Sequence, residues 1–465
     1  MRNKFARFAI LPLLIFASLT SFAQSAEDYF ATPSPPDAPL TEAYSQLTAS
    51  QTASARRLSR FFLVEQPSAI VSTALLDAFK RDPPGGLVFW NFSHAGWQDL
   101  AKTTARYSQI LKENGQLPAF FSIDDEGGGL TFSPSGRNIP GIQRFRQGFT
   151  DLAHGVWLGK SLAHFGTELC DLHGRIMGQE LAAAGVNFPL TLVSDLAQRL
   201  FILRGVSIDP TEVATCLKSF TKSMASAGPV IAVTKHFPGL GQNSGDTHDV
   251  ESISTAKTLV DADRHLFPFR DLINFANSNG LQSRLSVMSS HGKFPLLDPN
   301  HLTTESSILL DDILRDRFGF QGVRVSDAMW MGGYGNLQGD SLYAVYVNAF
   351  VSGLDILMIP GSRFGGALRA FQQVDDGSAS TNFRLALEAR SGLKFDNLRE
   401  KFGRRVTESL GRIDFTLRTL PYSHETVSGS PPRNLRVRDR ARYYEILRAL
   451  DSRWSGQLPA ELQRP

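Results

Sequence analysis

Cysteine is nearly missing from this chain: Cys170 and Cys216 are the only two among 465 residues. A cysteine-ligated metal centre needs a spaced cluster of ligands, so that chemistry is excluded. The pair itself stays open between one disulfide and two buried thiols, since a bridge requires close Cα atoms and sequence does not give distances. An excess of one charge is lacking too. Lys+Arg number 48 against 45 Asp+Glu, and Arg2, Lys4 and Arg7 make up the difference. Without the first 23 residues the basic count falls to 45 and equals the acidic one. No nucleic-acid footprint follows from such a balance. Beyond residue 23 there is also no apolar run long enough to span a bilayer, so stable membrane insertion is not expected.

What the first 23 residues do have is a basic start, the apolar run Phe8–Leu19 broken by Pro12, and Ser21 and Ala23 placed for cleavage after Ala23. That is the pattern of a secretory signal peptide. No cysteine follows the run to carry a lipid, so export is expected, to a periplasm or to the medium. Residues 24–55, rich in Pro, Ser, Thr and Ala, read as an extended lead-in.

From residue 56 onward, short apolar runs alternate with longer amphipathic ones. Eight strand candidates stand out: Ser59–Glu65, Gly86–Asn91, Ala119–Asp124, Val186–Asp195, Val230–His236, Leu285–His291, Gly322–Asp327 and Asp355–Pro360. Between them lie helix candidates such as Gln98–Asn114, Leu158–Ala184, Pro210–Ala227 and Glu305–Phe318. Near-continuously apolar strands alternating with helices imply a parallel sheet covered on both faces. Eight such units fit an α/β fold of the (β/α)8 TIM-barrel type over 56–422 better than a doubly wound open sheet. The segment from Asn397 reads as a helix closing the barrel. Residues 423–465 read as a linker and an Arg-rich helical tail, whose Tyr443, Leu447, Leu450 and Trp454 form an apolar stripe. Packing of that stripe on the barrel is the favoured reading, with a membrane-surface or partner contact as the alternative.

In such a barrel the chemistry sits at the C-terminal strand ends. Here five strand candidates finish on Asp124, Asp195, Lys235-His236, His291 and Asp327. Taken singly, each is explained as a helix cap or a solvated loop residue; five arranged alike describe a polar rim. The richest stretch is Lys235–His248, Lys-His-Phe-Pro-Gly-Leu-Gly-Gln-Asn-Ser-Gly-Asp-Thr-His. It leaves an apolar strand, runs through a turn-rich loop expected to be mobile, and ends with Asp246 two residues before His248. A carboxylate beside an imidazole fixes its tautomer and raises its pKa, which suits proton transfer near neutral pH. Asp124-Asp-Glu126 precedes three glycines, but three adjacent acids do not all face one ion, so the metal reading is weak.

These residues resemble glycoside hydrolase family 3, and within it the bacterial β-N-acetylhexosaminidases. Ile123-Asp-Asp-Glu-Gly-Gly is similar to the family's Asp-Gln-Glu-Gly-Gly block, and Gly185–Asp195 to its Gly-Ile-Asn segment. Arg204 falls where the family has Arg-Ser-Phe-Gly-x-Asp-Pro. Lys235–His248 matches Lys-His-Phe-Pro-Gly-His-Gly…Asp-Ser/Thr-His with the same spacing. The resemblance, carried from about Phe61 to Pro360, implies retaining hydrolysis of terminal β-linked N-acetylglucosamine. It makes Asp327 the nucleophile and His248, polarised by Asp246, the acid/base. Asp124, Arg204, Lys235 and His236 become sugar-binding residues, with no metal or organic cofactor. Three departures stand out: Leu240 replaces a His, Asp125 replaces a Gln, and Gly129–Phe132 replace a stretch holding an Arg. Two alternatives follow, a sugar-binding barrel with impaired turnover and a glycoside phosphorylase. The expected partner is an oligosaccharide of cell-wall or chitin type.

Overall fold

A computed structural model describes residues 58–66, 83–89, 97–126, 155–202, 204–334, 337–420 and 433–450. The eight strand candidates all form: β1 Phe62–Gln66, β2 Gly86–Phe89, β3 Phe120–Ile123, β4 Leu190–Val193, β5 Ala232–Phe237, β6 Leu285–Ser289, β7 Arg324–Ala328 and β8 Ile356–Ile359. All neighbours pair in parallel, in the order β3-β2-β1-β8-β7-β6-β5-β4, which is sequence order taken around a ring. That is a (β/α)8 barrel.

Among the described residues β3 and β4 share no strand ladder, and one side chain bridges the seam. Asn187 Nδ2 donates to the Ala119 carbonyl (2.9 Å) and its Oδ1 accepts from the Phe121 N–H (2.8 Å). The N–H groups of Asn187 and Phe188 both donate to the Phe121 carbonyl, at 3.1 and 3.0 Å. An amide side chain carries a donor and an acceptor, so it imitates a strand edge where the strands have splayed apart.

The outer layer follows local signals. α1 is Trp97–Glu113; α2 (Gly155–Phe165) and α3 (Glu168–Ala183) are separate helices where one segment is expected from the apolar pattern. The break is Gly166, whose φ of +55° lies in the left-handed region that ends helices. α4, Pro210–Ala227, begins with Asp209 accepting from the Thr211 N–H at 2.8 Å and with Pro210 in its first turn. α5, Leu259–Ser278, starts with a Thr258/Asp261 capping box. α6 (Ile308–Arg317), α7 (Gly339–Val351), α8 (Phe364–Asp375), α9 (Thr381–Ser391) and α10 (Phe395–Arg418) complete the layer. Phe61 and Phe62 stack with Phe350 of α7 and Phe371 of α8, and Phe402 of α10 closes the same cluster, with centroids 4.5–5.3 Å apart. Offset and edge contacts of this kind suit aromatic quadrupoles and bury large apolar areas.

The tail helix α11, Arg433–Leu450, packs on α2 and α3. Tyr443, Tyr444, Ile446 and Leu447 are buried, and the Tyr443 hydroxyl meets His173 Nδ1 at 3.0 Å. Arg442 pairs with Glu168 and Arg440 with Glu180 at the margins. The apolar stripe therefore faces the barrel layer; its Trp454 lies outside the described residues, as do the signal and lead-in segments and the linker at 423–432. The two sulfurs of Cys170 and Cys216 are bonded, joining α3 to α4 across Cα atoms 5.5 Å apart. Among the described residues no helix is long and apolar enough to cross a membrane.

Candidate active site

Register sets the floor of the site. Phe237 of β5 lies level with Ser289 of β6, which lies level with Ser326 of β7. His236 and Asp327 are the immediate neighbours of that level, and Asp124 and Asp195 come one and two residues after the ends of β3 and β4. All four are carried to the C-terminal end of the barrel.

On one side, four charges pair off. Lys235, only 2% exposed along its side chain, places Nζ 2.5 Å from Asp124 Oδ1 and 2.8 Å from Glu126 Oε1. Arg204 grips Glu126 through Nε and Nη2, at 2.7 and 2.6 Å. Two cations and two carboxylates form a neutral, rigid quartet. Burial opposes ionisation of Glu126, but Arg204 and Lys235 outweigh it and hold the carboxyl well below its usual range. Lys235 is raised by its two acids against its own burial. Glu126 is the residue that the sequence reading passed over, as one of three adjacent acids in a weak metal motif. Its side chain organises both cations assigned to sugar binding.

Beside the quartet, Asp195 is fully buried and fixes the start of the long loop. Its Oδ2 accepts from the His236 N–H (3.1 Å) and meets His236 Nδ1 (2.7 Å), while Oδ1 accepts from the Leu240 N–H (2.5 Å). With Nδ1 held by a carboxylate, His236 directs Nε2 away from Asp195. Leu240, at the position where the family pattern has His, is buried with Gly292. A Cβ at Gly292 would stand 2.7 Å from Leu240 Cδ2, so a larger residue there would displace the Leu240 side chain.

Asp327 is 8% exposed at the end of β7, and its Oδ1 accepts the Ala328 N–H at 2.7 Å. It makes no ion pair among the described residues. Burial would raise its pKa; the imidazoles of His236, His291 and His248, with the Ala328 N–H, outweigh that and hold it below the ordinary value. The carboxylate is thus ionised without a Lys or Arg salt bridge, which keeps its oxygens free to attack. His291 stands behind it. Its Nε2 donates to the Ala328 carbonyl (3.0 Å) and its Nδ1 meets Thr304 Oγ1 (2.7 Å), with burial driving it towards the neutral form.

The loop from Pro238 to Lys257 brings the third imidazole. His248 Nδ1 lies 2.7 Å from Asp246 Oδ1, which also accepts the His248 N–H (3.0 Å). The side chain is 52% exposed, so the ring is open to solvent while Nδ1 is taken by Asp246. Partial burial disfavours the imidazolium, but the Asp246 hydrogen bond and the charge of Asp327 prevail and raise its pKa. Asp246 in turn is pushed down to about 2, its partial burial outweighed by the bonds from His248.

The loop is fastened rather than free. Arg199 Nη1 donates to the Asn243 carbonyl (3.1 Å), and residues 252 and 254 exchange N–H···O bonds of 2.8 Å with Lys293. Lys293 belongs to a short hairpin, Lys293–Phe294 with Asp298–Leu302, that the sequence pattern did not reveal. At the tip, the Gly332 N–H donates to the His248 carbonyl (2.9 Å), linking the loop to the segment directly after Asp327. A Cβ at Gly332 would lie 2.7 Å from that carbonyl oxygen, so glycine is what permits the approach. The structure shows the loop in a docked position.

Residues 73–387 match the family described as Glycosyl hydrolase family 3 N terminal domain. The chain belongs to that family. A Beta-hexosaminidase of Nitrosomonas eutropha is 30% identical over 254 residues, which is 53% of this chain and 66% of that one. A Beta-hexosaminidase of Xanthomonas euvesicatoria is 27% identical over 69% of this chain and 89% of its own length. A solved family 3 beta-N-acetylglucosaminidase from Paenibacillus superposes with a TM-score of 0.59 at 25% identity. It covers 75% of this chain, which in turn spans 62% of it. Family membership makes this a glycoside hydrolase and agrees with the barrel and with the sequence resemblance.

Every residue named from sequence, Asp124, Arg204, Lys235, His236, Asp246, His248 and Asp327, lies at this one end of the barrel. Gly129–Phe132 and Arg137, where the family's further Arg would be sought, lie outside the described residues. Among the described residues no three His, Cys, Asp or Glu side chains are placed to share a metal ion.

Proposed function

We propose that the protein removes terminal β-linked N-acetylglucosamine from oligosaccharides with retention of configuration. The observation that carries this reading is the pairing of two differently prepared groups at one rim. Asp327 is a buried, ionised carboxylate with no salt bridge among the described residues, and His248 is an exposed imidazole whose pKa Asp246 raises. In the first step His248 Nε2–H protonates the leaving oxygen while Asp327 bonds to the anomeric carbon. In the second, neutral His248 takes a proton from water, the water attacks the same carbon, and Asp327 leaves. Retaining glycosidases generally use two carboxyl groups for these roles. An imidazole there avoids setting a second negative charge against the nucleophile.

Asp124, Lys235, Arg204 and His236 supply charge-assisted bonds to the sugar hydroxyls. The pairing of Lys235 with Asp124, of Arg204 with Glu126 and of His236 with Asp195 fixes them before substrate arrives, which lowers the ordering cost of binding. Relatives named Beta-hexosaminidase and a beta-N-acetylglucosaminidase neighbour support the sugar preference. Murein or chitin fragments fit an exported enzyme, and export is supported by the leader pattern and by the Cys170–Cys216 bond. N-terminal sequencing of the protein from its native host should begin at Gln24; a chain beginning at Met1 in the cytoplasm would remove this part.

The chemistry is tested by trapping with a 5-fluoro N-acetylglucosaminyl fluoride, followed by peptide mass spectrometry. The label should sit on Asp327. A label elsewhere, or inversion at the anomeric carbon, would overturn the mechanism. Turnover of a chromogenic N-acetylglucosaminide should be indifferent to phosphate; release of sugar 1-phosphate would make the protein a phosphorylase instead.

A further inference from the structure

Three segments leave adjacent strands at the catalytic end: the Pro238–Lys257 loop after β5, residues 290–304 with the Lys293 hairpin after β6, and the turn at 329–334 after β7. Each is bonded to the other two. The Lys293 N–H donates to the Ser252 carbonyl and the Ser254 N–H to the Lys293 carbonyl, both at 2.8 Å, which ties the loop to the hairpin. The Gly332 N–H on the His248 carbonyl (2.9 Å) ties the loop to the turn. His291, at the foot of the hairpin, supplies the third tie, with Nε2 donating to the Ala328 carbonyl at 3.0 Å. Three bodies linked pairwise make a closed frame, and a closed frame resists the hinging that two links would allow.

Both catalytic groups hang from the same turn. Asp327 Oδ1 accepts the Ala328 N–H at 2.7 Å. The Ala328 carbonyl takes His291 and also the Met331 N–H (3.0 Å), and the next residue, Gly332, holds the backbone of His248. On the β8 side the Met329 N–H is bonded to the Met358 carbonyl at 2.9 Å. Further down, β7 is pinned at its start, where Arg324 pairs with Asp355, just before β8, together with Arg405 and Arg412 of α10. Play between Asp327 and His248 therefore arises above the strand ladder, on the side that His291 holds.

Two of the three ties are made by backbone alone, and His291 makes the one that depends on a side chain. Its ring is fully buried, so it does not reach the sugar and any part in the reaction is indirect. Nδ1 meets Thr304 Oγ1 at 2.7 Å, and the neighbouring Thr303 is bonded to the Gly292 carbonyl through both its N–H and its Oγ1, each at 2.9 Å. The ring of Tyr334 stands edge-on to the imidazole, with centroids 4.6 Å apart. A carbonyl only accepts, so the Nε2 that faces Ala328 carries a proton.

We propose that His291 is a positioning residue: its Nε2–H bond closes the frame of loop, hairpin and turn, and so holds the Asp327 carboxylate and the His248 imidazole at one separation across the sugar. This rests on the reaction proposed for the site. The quartet of Asp124, Glu126, Lys235 and Arg204 is held by its own ion pairs, so the loss of His291 falls on turnover and not on binding.

The test counts active sites with the 5-fluoro trap and measures turnover per labelled site on N,N′-diacetylchitobiose, whose leaving group needs the acid. His291→Met, which keeps bulk without a donor, should lower kcat about a hundredfold, the cost of a misplacement of about 1 Å, with KM unchanged within about twofold. His291→Gln, whose amide nitrogen can reach the same carbonyl, should stay within about fivefold of the unaltered enzyme. Gly332→Ala probes the frame from another corner. Gly332 does not have a left-handed φ, so a methyl group costs its backbone little, yet the Cβ would stand 2.7 Å from the His248 carbonyl oxygen. It should also slow turnover, and because both changes open one frame, the double variant should lose less than the product of the single losses. Turnover of His291→Met within about threefold of the unaltered enzyme, a rise in KM alone, a Gln variant as slow as the Met variant, or losses that multiply would each overturn this inference while Asp327 remains the labelled residue. A label on another residue would overturn the reaction itself and this inference with it. Should His291→Met fail to fold, His291→Asn takes its place, since the shorter amide can meet Thr304 but not Ala328.

Discussion

The two ends of this barrel use the same side chains to opposite purposes. At the C-terminal rim, Glu126, Asp124, Lys235 and Arg204 cancel one another, and that balance leaves Asp327 free of any Lys or Arg among the described residues. At the base, Asp355 is shared by three arginines and has no freedom at all. Both carboxylates are buried and both are held ionised, Asp355 far more strongly. The difference teaches that burial and a depressed pKa do not make a nucleophile. What matters is which groups do the depressing. Imidazoles and an N–H leave carboxylate oxygens available; bidentate guanidinium groups occupy them.

The comparison breaks most sharply at its two aspartates. Asp327→Ala should lower kcat on a chromogenic N-acetylglucosaminide on the order of 10⁵-fold, the scale expected for a covalent nucleophile, with little change in urea midpoint. A residual activity within tenfold of wild type would remove Asp327 from its role. His248→Ala should cost about 10²–10⁴-fold with poor leaving groups and much less with good ones. Equal losses on both would mean that this imidazole is not the acid.

Asp355→Asn should do the reverse of Asp327→Ala. Stripping the shared charge from three buried arginines should cost about 3–5 kcal/mol of stability, read from the urea midpoint, while kcat of the folded fraction is retained. Glu126→Gln tests the rim in the same way, since Arg204 and Lys235 lose one of their two acids. It should lower stability and also raise KM, because the cations that hold the sugar lose their alignment. A change in stability alone would confine Glu126 to a structural part.

The smallest effect concerns pH. His248 must be protonated to act as the acid, and its raised pKa keeps it so above the ordinary 6.5. The rate should therefore fall as pH rises through that elevated value. On the acid side it should fall only once Asp327, held below 3.8, takes up a proton. Asp246→Asn removes the negative charge that raises His248, so the alkaline limb of kcat/KM should move down by about one unit. An unmoved limb would assign it to another group.

Much of this was legible in the chain. The eight strands were visible because residues buried on both faces leave continuous apolar runs, and their polar last residues mark the rim without any coordinates. Pro210 opens the helix candidate that runs to Ala227 in the same local way. Other features were not legible, for reasons that are equally physical. Asn187 closes the seam between β3 and β4 only because those strands splay, a fact of barrel curvature. Glu126 looked like one of three solvated acids, and its worth depends on Arg204, 78 residues further on, arriving beside it. The short hairpin at Lys293 is bonded through its backbone to Ser252 and Ser254 of the Pro238–Lys257 loop, and nothing in its own residues shows this.

Continuous apolar runs between amphipathic segments, turn residues and the spacing of Lys235, His236, Asp246 and His248 were enough to determine the fold class and the kinds of group available. Those are properties of short stretches, and short stretches record them. Which acid pairs with which base is a matter of a few ångströms between residues far apart in the chain. Only the closed barrel could decide that Glu126 would be taken by Arg204, that Asp355 would be locked beneath three guanidinium groups, and that Asp327 would be left open.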